Sequence, residues 1–211
     1  MPQTFLLFDL DGTISDPLEG IGRSINYALE ACGYPSYQLS ALSAYVGPPL
    51  DDTFKKLTGA DDDRTLSELV RKYRERYAEI GYAENTVYPG MREALEILTQ
   101  NGVPMGVCTT KRQDFAEKIL QLFDLRTHFR FISGGDIGIK KCQQIEALLS
   151  DTAIDHNTIM IGDRAIDLSA AHTNGLVAAG VLWGYGSRTE LESASPRHLL
   201  THPGELTTLL G

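Results

Sequence analysis

The sequence is short of cysteine, short of positive charge and without a long apolar run. Its three cysteines, Cys32, Cys108 and Cys142, are odd in number, far apart and never in CxxC spacing. That pattern argues against a disulfide framework or a cysteine zinc site and reads as reduced, mostly buried thiols. Lys and Arg number 19 against 28 Asp and Glu, a net charge of −9. Such an acid excess disfavours nucleic acid or an anionic membrane as the main partner, though a local basic pocket stays open. The apolar run at residues 5–8 is broken at once by Asp9, so neither a signal peptide nor a membrane span is expected there. The location expected on these grounds is cytoplasmic. Internal repeats and low-complexity tracts are also missing.

What remains is an ordinary globular composition, 42% hydrophobic and 22% charged over 211 residues. That length buries a full core, as one large domain or a core with a small insert. Residues 5–8 (FLLF) followed by DLDGT read as a buried parallel strand ending in turn residues. From residue 16 to about 87 the periodicity is helical throughout. Leu18, Ile21, Ile25, Ala28 and Leu29 mark one helix, residues 39–45 and 51–58 shorter ones, and Leu66 to Tyr77 a long amphipathic one. From Tyr88 onward strands alternate with helices. Strands are expected at 103–109, 129–133 (ending in Gly134-Gly135-Asp136), 158–161 and 176–182, with an edge strand near Leu199 and a last short helix. The fold class is therefore α/β, a doubly wound parallel sheet with an inserted all-helical domain. The expected boundaries are 1–15 and 88–211 for the core and 16–87 for the insert.

In an open α/β sheet, ligands bind at the carboxyl ends of the strands. That rule puts Asp9 and Asp11 at the mouth of a site. Two close carboxylates repel unless a cation or a proton compensates them, so a divalent metal and an anionic substrate explain them economically. Asp-Gly is equally an ordinary turn signal, and this stretch alone leaves both readings open. Three more polar clusters fall at later strand ends: Thr109-Thr110-Lys111, Lys140-Lys141, and Gly162-Asp163 with Asp167. Each alone is more often structural, as a helix cap or a solvated pair. Together, in this order, they suit phosphoryl chemistry, because hydroxyls, backbone N–H groups and lysine hold phosphate oxygens.

The order DLDGT, apolar-CTTK, Lys and IMIGDRAID resembles the four motifs of the haloacid dehalogenase superfamily, over essentially the whole chain. GIGRSINYALEACG, VGPPLDDTF and the TTK step resemble its phosphoglycolate-phosphatase-like branch, and the helical insert resembles that superfamily's cap. The resemblance implies a Mg²⁺-dependent phosphatase acting on small phosphorylated metabolites, as a monomer or homodimer. It implies Asp9 as nucleophile and Asp11 as general acid and base. Thr109 and the Thr110 N–H would grip phosphate, and Lys141 would neutralise its charge. Asp9, Asp163 and the Asp11 carbonyl would hold the metal, with Asp167 orienting the lysine or a metal-bound water.

Two features depart from the family pattern. Proline often follows the third-motif lysine, whereas here Lys140-Lys141-Cys142 offers two candidates. Lys141 is preferred because Ile145 then begins the helical face at the usual offset. Arg164 replaces a small polar residue and is expected to face solvent. Arg23, Tyr45, Gly47 with its two prolines, and Lys55 are the cap candidates for substrate choice. A 5′-nucleotidase, a pyrophosphatase or a sugar phosphomutase on this scaffold are the alternatives, and a non-catalytic phosphoacceptor is the rival of another class.

Overall fold

The computed structural model describes residues 4–135 and 138–210, so Asp136 lies outside the described residues. Two compact units make up the chain, one of residues 1–16 with 87–211 and one of residues 17–86. The larger unit is built on a six-stranded sheet of β1 (Phe5–Phe8), β4 (Met105–Arg112), β5 (Ile132–Gly135), β6 (Thr158–Gly162), β7 (Val177–Val181) and β8 (His198–Leu200). Its order is β5-β4-β1-β6-β7-β8, and every pairing is parallel. Flanking helices are α4 (Met91–Gln100), α5 (Gln113–Leu122), α6 (Lys141–Ser150), α7 (Ala165–Thr173) and α8 (Arg188–Ser193). From β1 the sheet grows outward through β4 and β5, then crosses by α6 to β6 on the other side. The reversal therefore lies at β1, and such a switch point is where doubly wound sheets bind ligands.

β1 is central because it is apolar on both faces. Leu6, Leu7 and Phe8 are fully buried, and Leu7 packs with Met160, Ile145 and Leu168 in one layer. Strands covered on both faces carry such continuous apolar runs instead of alternation. The three free thiols stay apart, with Cys108 buried in this layer and Cys32 and Cys142 partly buried. No helix among the described residues is long and apolar enough to cross a membrane.

The smaller unit contains α1 (Leu18–Ala31), α2 (Leu50–Thr58) and α3 (Asp63–Glu79), with 3₁₀ turns at Leu39–Tyr45 and Gly81–Ala83. Residues 39–45 were expected to be a helix; two prolines at 48 and 49 follow at once, and the segment stays in the tighter 3₁₀ form used for short pieces. The stretch from 16 to 87 is not wholly helical either. Asp16 belongs to β2 (Ser15–Asp16) and Thr86 to β3 (Thr86–Val87), which pair as a ribbon where the chain leaves and re-enters the sheet unit. Two-residue strands are too short to leave a periodic signal.

Within the helical unit one carboxylate ties three segments together. Glu84 accepts from Arg76 through both of its oxygens, at 2.7 and 3.0 Å, and from Arg23 Nη1 at 2.8 Å. The two guanidinium groups hold its carboxyl below the ordinary range against the opposing effect of burial, Arg76 contributing most. Glu84→Gln is expected to lower stability by about 1–3 kcal/mol, since a charge-assisted bidentate bond is lost from a mostly buried group. Thermal denaturation of the variant checks this, with loss of the effect at high salt expected only in part.

Candidate active site

The carboxyl ends of β1, β4, β6 and β7 and the first turn of α6 converge on one cluster of charge. Asp9 follows β1 directly, and its backbone N–H donates to the Ile161 carbonyl at 2.8 Å, which continues the pairing with β6. Asp163 follows β6, and Asp167 sits in the first turn of α7. All three aspartates are buried, and an oxygen from each lies within 4.8 Å of the others. So dense a group of acids needs a cation nearby.

Lys141 supplies the first one. Its side chain is 2% exposed, with Nζ 2.9 Å from Asp9 Oδ1 and donating to Asp167 Oδ1. Lys140, the other candidate, is exposed and stands just before α6, where its N–H donates to Gln143 Oε1. Helix periodicity decides between them. Lys141, Gln144 and Ile145 share the buried face of α6, and Lys140 lies outside it. Burial alone would lower the Lys141 ammonium's pKa, but Asp167 and Asp9 outweigh it and keep the group firmly charged.

Lys111 supplies the second. Its Nζ lies 2.8 Å from Asp11 Oδ2, with only 7% of its side chain exposed. Burial nonetheless raises the Asp11 carboxyl above the ordinary range, more than Lys111 lowers it. Burial, and then the charges of Asp167 and Asp9, push Asp163 up to about 8. Asp167 rises to about 6, burial again exceeding the pull of Lys141.

The hydrogen bonds sort the acids by what they can still accept. Asp167 is fully engaged, through Lys141 at Oδ1 and the Arg164 N–H at Oδ2, 3.0 Å away. Asp163 accepts from the Tyr185 N–H at 2.8 Å and more distantly from the Thr13 hydroxyl at 3.4 Å. Asp9 Oδ1 is outside hydrogen-bond geometry despite its ion pair, and Asp11 Oδ1 is likewise buried without a donor. Orphaned carboxylate oxygens in an all-oxygen cluster fit a hard divalent cation such as Mg²⁺. Asp9 and Asp163, whose donors are absent or distant at Oδ1, have the most coordination capacity, while Asp167 is held by the lysine at one oxygen and the helix start at the other.

Thr109 is buried, and its Oγ1 accepts from the Lys111 N–H at 3.2 Å. Thr110 beside it is exposed. The expected strand end at 109 is displaced, because β4 runs on to Arg112. Its register against β5 shifts between Cys108 and Arg112, so the Thr109-Thr110-Lys111 backbone leaves the regular ladder. β5 is displaced in the same sense, to Ile132–Gly135, because Gly134 and Gly135 are places of close approach and not turns. A Cβ on Gly135 would stand 2.2 Å from the Thr110 carbonyl oxygen.

Arg164 does not simply face solvent. Its Nε donates to Glu190 Oε1 at 2.9 Å, which also accepts from the Ala165 N–H. Of the cap candidates, Arg23 pairs with Glu19 and Glu84, and Lys55 lies 3.2 Å from Asp61. Gly47 has a positive φ of 102° in the turn before its prolines, and Tyr45 ends the 3₁₀ segment. All four belong to the helical unit.

The loop after β7 escaped sequence reasoning. Trp183 Nε1 donates to the Thr13 carbonyl at 2.9 Å, and Tyr185 donates its hydroxyl to Asp16 as well as its N–H to Asp163. A Cβ on Gly184 would fall 2.3 Å from the Gly12 carbonyl oxygen, and one on Gly12, whose φ is +83°, would fall 2.2 Å from Asp163 Oδ2. Only bare backbone lets these loops close on the acids. The signal was present in Trp-Gly-Tyr-Gly at the end of one more parallel strand.

A doubly wound sheet with buried aspartates and a lysine at its switch point defines a hydrolase core of the haloacid dehalogenase kind. The chain matches the family model of haloacid dehalogenase-like hydrolases over residues 6–181, and it belongs to that family. It is similar to a 5′-nucleotidase of Pseudomonas aeruginosa, 40% identical over 92% of this chain and 89% of that protein. It is also similar to the tyrosine-protein kinase PtkA of Mycobacterium tuberculosis, at 30% over 97% of this chain and 70% of that one. A phosphoglycolate phosphatase of Aquifex aeolicus is 28% identical over 97% and 95% of the two chains, in keeping with the resemblance to that branch. Among solved structures, a Clostridium difficile protein assigned as a phosphatase superposes with a TM-score of 0.91. It is 38% identical, with 98% of each chain covered.

Proposed function

We propose that this phosphatase is Mg²⁺-dependent, hydrolyses small phosphorylated metabolites and forms an aspartyl-phosphate on Asp9. The observation that carries the reading is the Asp9 carboxylate itself, buried at the switch point with Oδ1 2.9 Å from the Lys141 ammonium and with oxygens of Asp163 and Asp167 within 4.8 Å. Asp9 attacks phosphorus, and the bond from phosphorus to the leaving oxygen breaks. Asp11 gives that oxygen its proton, consistent with a carboxyl raised by burial. In the second half, Asp11 takes a proton from water as that water attacks phosphorus, which frees Asp9 and inorganic phosphate. Thr109 and the Thr110 N–H hold phosphoryl oxygens, and Lys141 offsets their charge. Asp9, Asp163 and the Asp11 carbonyl would hold Mg²⁺, and the bound ion supplies charge stabilisation to the transferring group. Asp167 orients Lys141.

Phosphoglycolate and nucleoside monophosphates are the substrate classes to test first, in keeping with the names of the relatives. The experiment is phosphate release from a metabolite panel, including pyrophosphate and sugar phosphates, with Mg²⁺ and with chelator. Metal-dependent release from one compound far above the rest supports the reading and names the substrate. Turnover that conserves the phosphate within the product favours a mutase, and stoichiometric capture without turnover favours a phosphoacceptor.

Metal and proton compete for Asp163. Its folded pKa, about 8, lies above the ordinary carboxylate value, so the bound proton stabilises the metal-free protein at acid pH. That contribution is complete below the unfolded carboxylate pKa and is lost as pH rises through about 8. The metal-free protein is therefore expected to lose thermal stability over this range, and Mg²⁺ to raise Tm most at its alkaline end. Scanning calorimetry with and without Mg²⁺ across the range checks it; an equal Mg²⁺ effect at both ends would contradict it.

A further inference from the structure

Gln144 is a buried polar side chain that the reaction does not use. It lies one turn after Lys141 on the same face of α6 and is 5% exposed. Its carboxamide nitrogen donates to the Thr109 carbonyl at 3.1 Å and to the Ser133 carbonyl at 3.4 Å. Two carbonyl partners fix the amide's orientation, because its oxygen could not face them. That oxygen, Oε1, is left buried with no partner. A polar group kept in the interior at such a cost calls for a reason.

The peptide plane supplies one. The carbonyl of Thr109 and the N–H of Thr110 belong to the same trans peptide, so they point in opposite directions from one rigid plane. Between Cys108 and Arg112 the β4–β5 register shifts, so the regular ladder does not set the tilt of that plane. Gln144 does so from one end. At the other, Gly135 lets its backbone close on Thr110 itself, where a Cβ would stand 2.9 Å from the Thr110 Cα that ends the plane.

We infer that Gln144 is a positioning residue for phosphate, aiming the Thr110 N–H by holding the Thr109 carbonyl behind it. This rests on the proposed role of Thr110 in gripping phosphate. Lys141 and Gln144 then make α6 serve the phosphoryl group twice, once by charge and once through the backbone it steers. A side chain without a donor at position 144 leaves the plane free to tilt and the N–H averaged over directions that miss the phosphate.

The test compares wild type with Gln144→Leu and Gln144→Glu, using inorganic phosphate as competitive inhibitor and the best panel substrate. The expected result is a rise of about tenfold in both KM and the phosphate Ki for Gln144→Leu, the loss of one good hydrogen bond. Gln144→Glu should be worse, because a carboxylate repels both carbonyls. In both variants kcat should fall much less than KM rises. A residue that only fills the core would lower Tm and leave KM and Ki alone, so unchanged constants in a folded variant overturn the inference. If neither variant folds, the wild-type protein decides it by amide NMR. The Thr110 N–H signal must shift on addition of phosphate, and a signal that stays fixed overturns the inference. Wild-type protein without any phosphatase turnover would instead overturn the underlying reading.

Discussion

Asp9→Asn is expected to abolish turnover of every phosphate ester, by on the order of 10⁴-fold or more, while the protein stays folded. The amide has nearly the volume of the carboxylate, so packing at the end of β1 changes little. What it loses is the anion. An amide oxygen is a poor nucleophile toward phosphorus and cannot carry an acyl phosphate. Stability should change little, because Lys141 keeps Asp167 as its partner and the lost ion pair is offset by relief of the repulsion from Asp163 and Asp167 within 4.8 Å. The measurement is phosphate release alongside thermal denaturation. Loss of activity with retained stability separates a chemical role from a structural one; substantial residual turnover would remove Asp9 from the mechanism.

Lys141→Met is expected to damage stability and activity together. The ammonium is almost wholly buried between Asp9 and Asp167, and its removal leaves those carboxylates facing each other. Breaking a buried pair from one side costs about 3–5 kcal/mol. The penalty should depend on pH in a defined direction. Burial already lifts the Asp167 carboxyl to about 6, and losing its cation raises it further. As pH falls through that value a proton takes the place of the ammonium, so the stability deficit should shrink in acid and be greatest at alkaline pH. Lys141→Arg should not restore the wild-type protein, because a planar guanidinium does not fit a space shaped for a compact ammonium. Equilibrium unfolding across pH checks this, and a deficit independent of pH would contradict it.

Several of these residues are legible in the sequence because strand ends are. Asp9, Asp11, Thr109, Lys141, Asp163 and Asp167 each follow a recognisable apolar run or open a helix, and the switch-point rule gathers such positions in space. The choice of Lys141 over Lys140 followed from the offset to Ile145, and the buried face of α6 places Lys141 against Asp9. Residues whose position depends on long-range approach were not legible. Lys111 was seen as part of a phosphate-binding step, yet its contact with Asp11 joins the ends of two different strands. Gln144 looks like an ordinary surface residue of an amphipathic helix until the sheet behind it is known. Gly134 and Gly135 mark the end of the strand expected at 129–133, whereas in the structure they belong to β5 and their missing side chains make room for Gln113 and Thr110. Glycine signals a strand end and a close approach alike, and sequence alone does not separate them.

The charge balance also changes with the structure. Counting four aspartates against one metal and one lysine leaves the site short of positive charge unless Asp11 is protonated. Lys111 adds a second buried cation at 2.8 Å from Asp11, so the site is better prepared for a phosphate dianion than the sequence count suggests. Both lysines have carboxylate partners, so arriving phosphate must compete for them. Metal at Asp9 and Asp163 would ease that competition by taking over the acidic oxygens.

A covalent bond between Asp9 and phosphorus is open to one direct measurement. Enzyme turning over its best substrate is quenched in acid and reduced with borohydride, which converts an aspartyl-phosphate to homoserine, and its peptides are sequenced by mass spectrometry. Homoserine is expected at position 9, dependent on substrate and missing in Asp9→Asn. Robust turnover with homoserine at another aspartate, or at none under conditions that trap a known acyl phosphate, would contradict it.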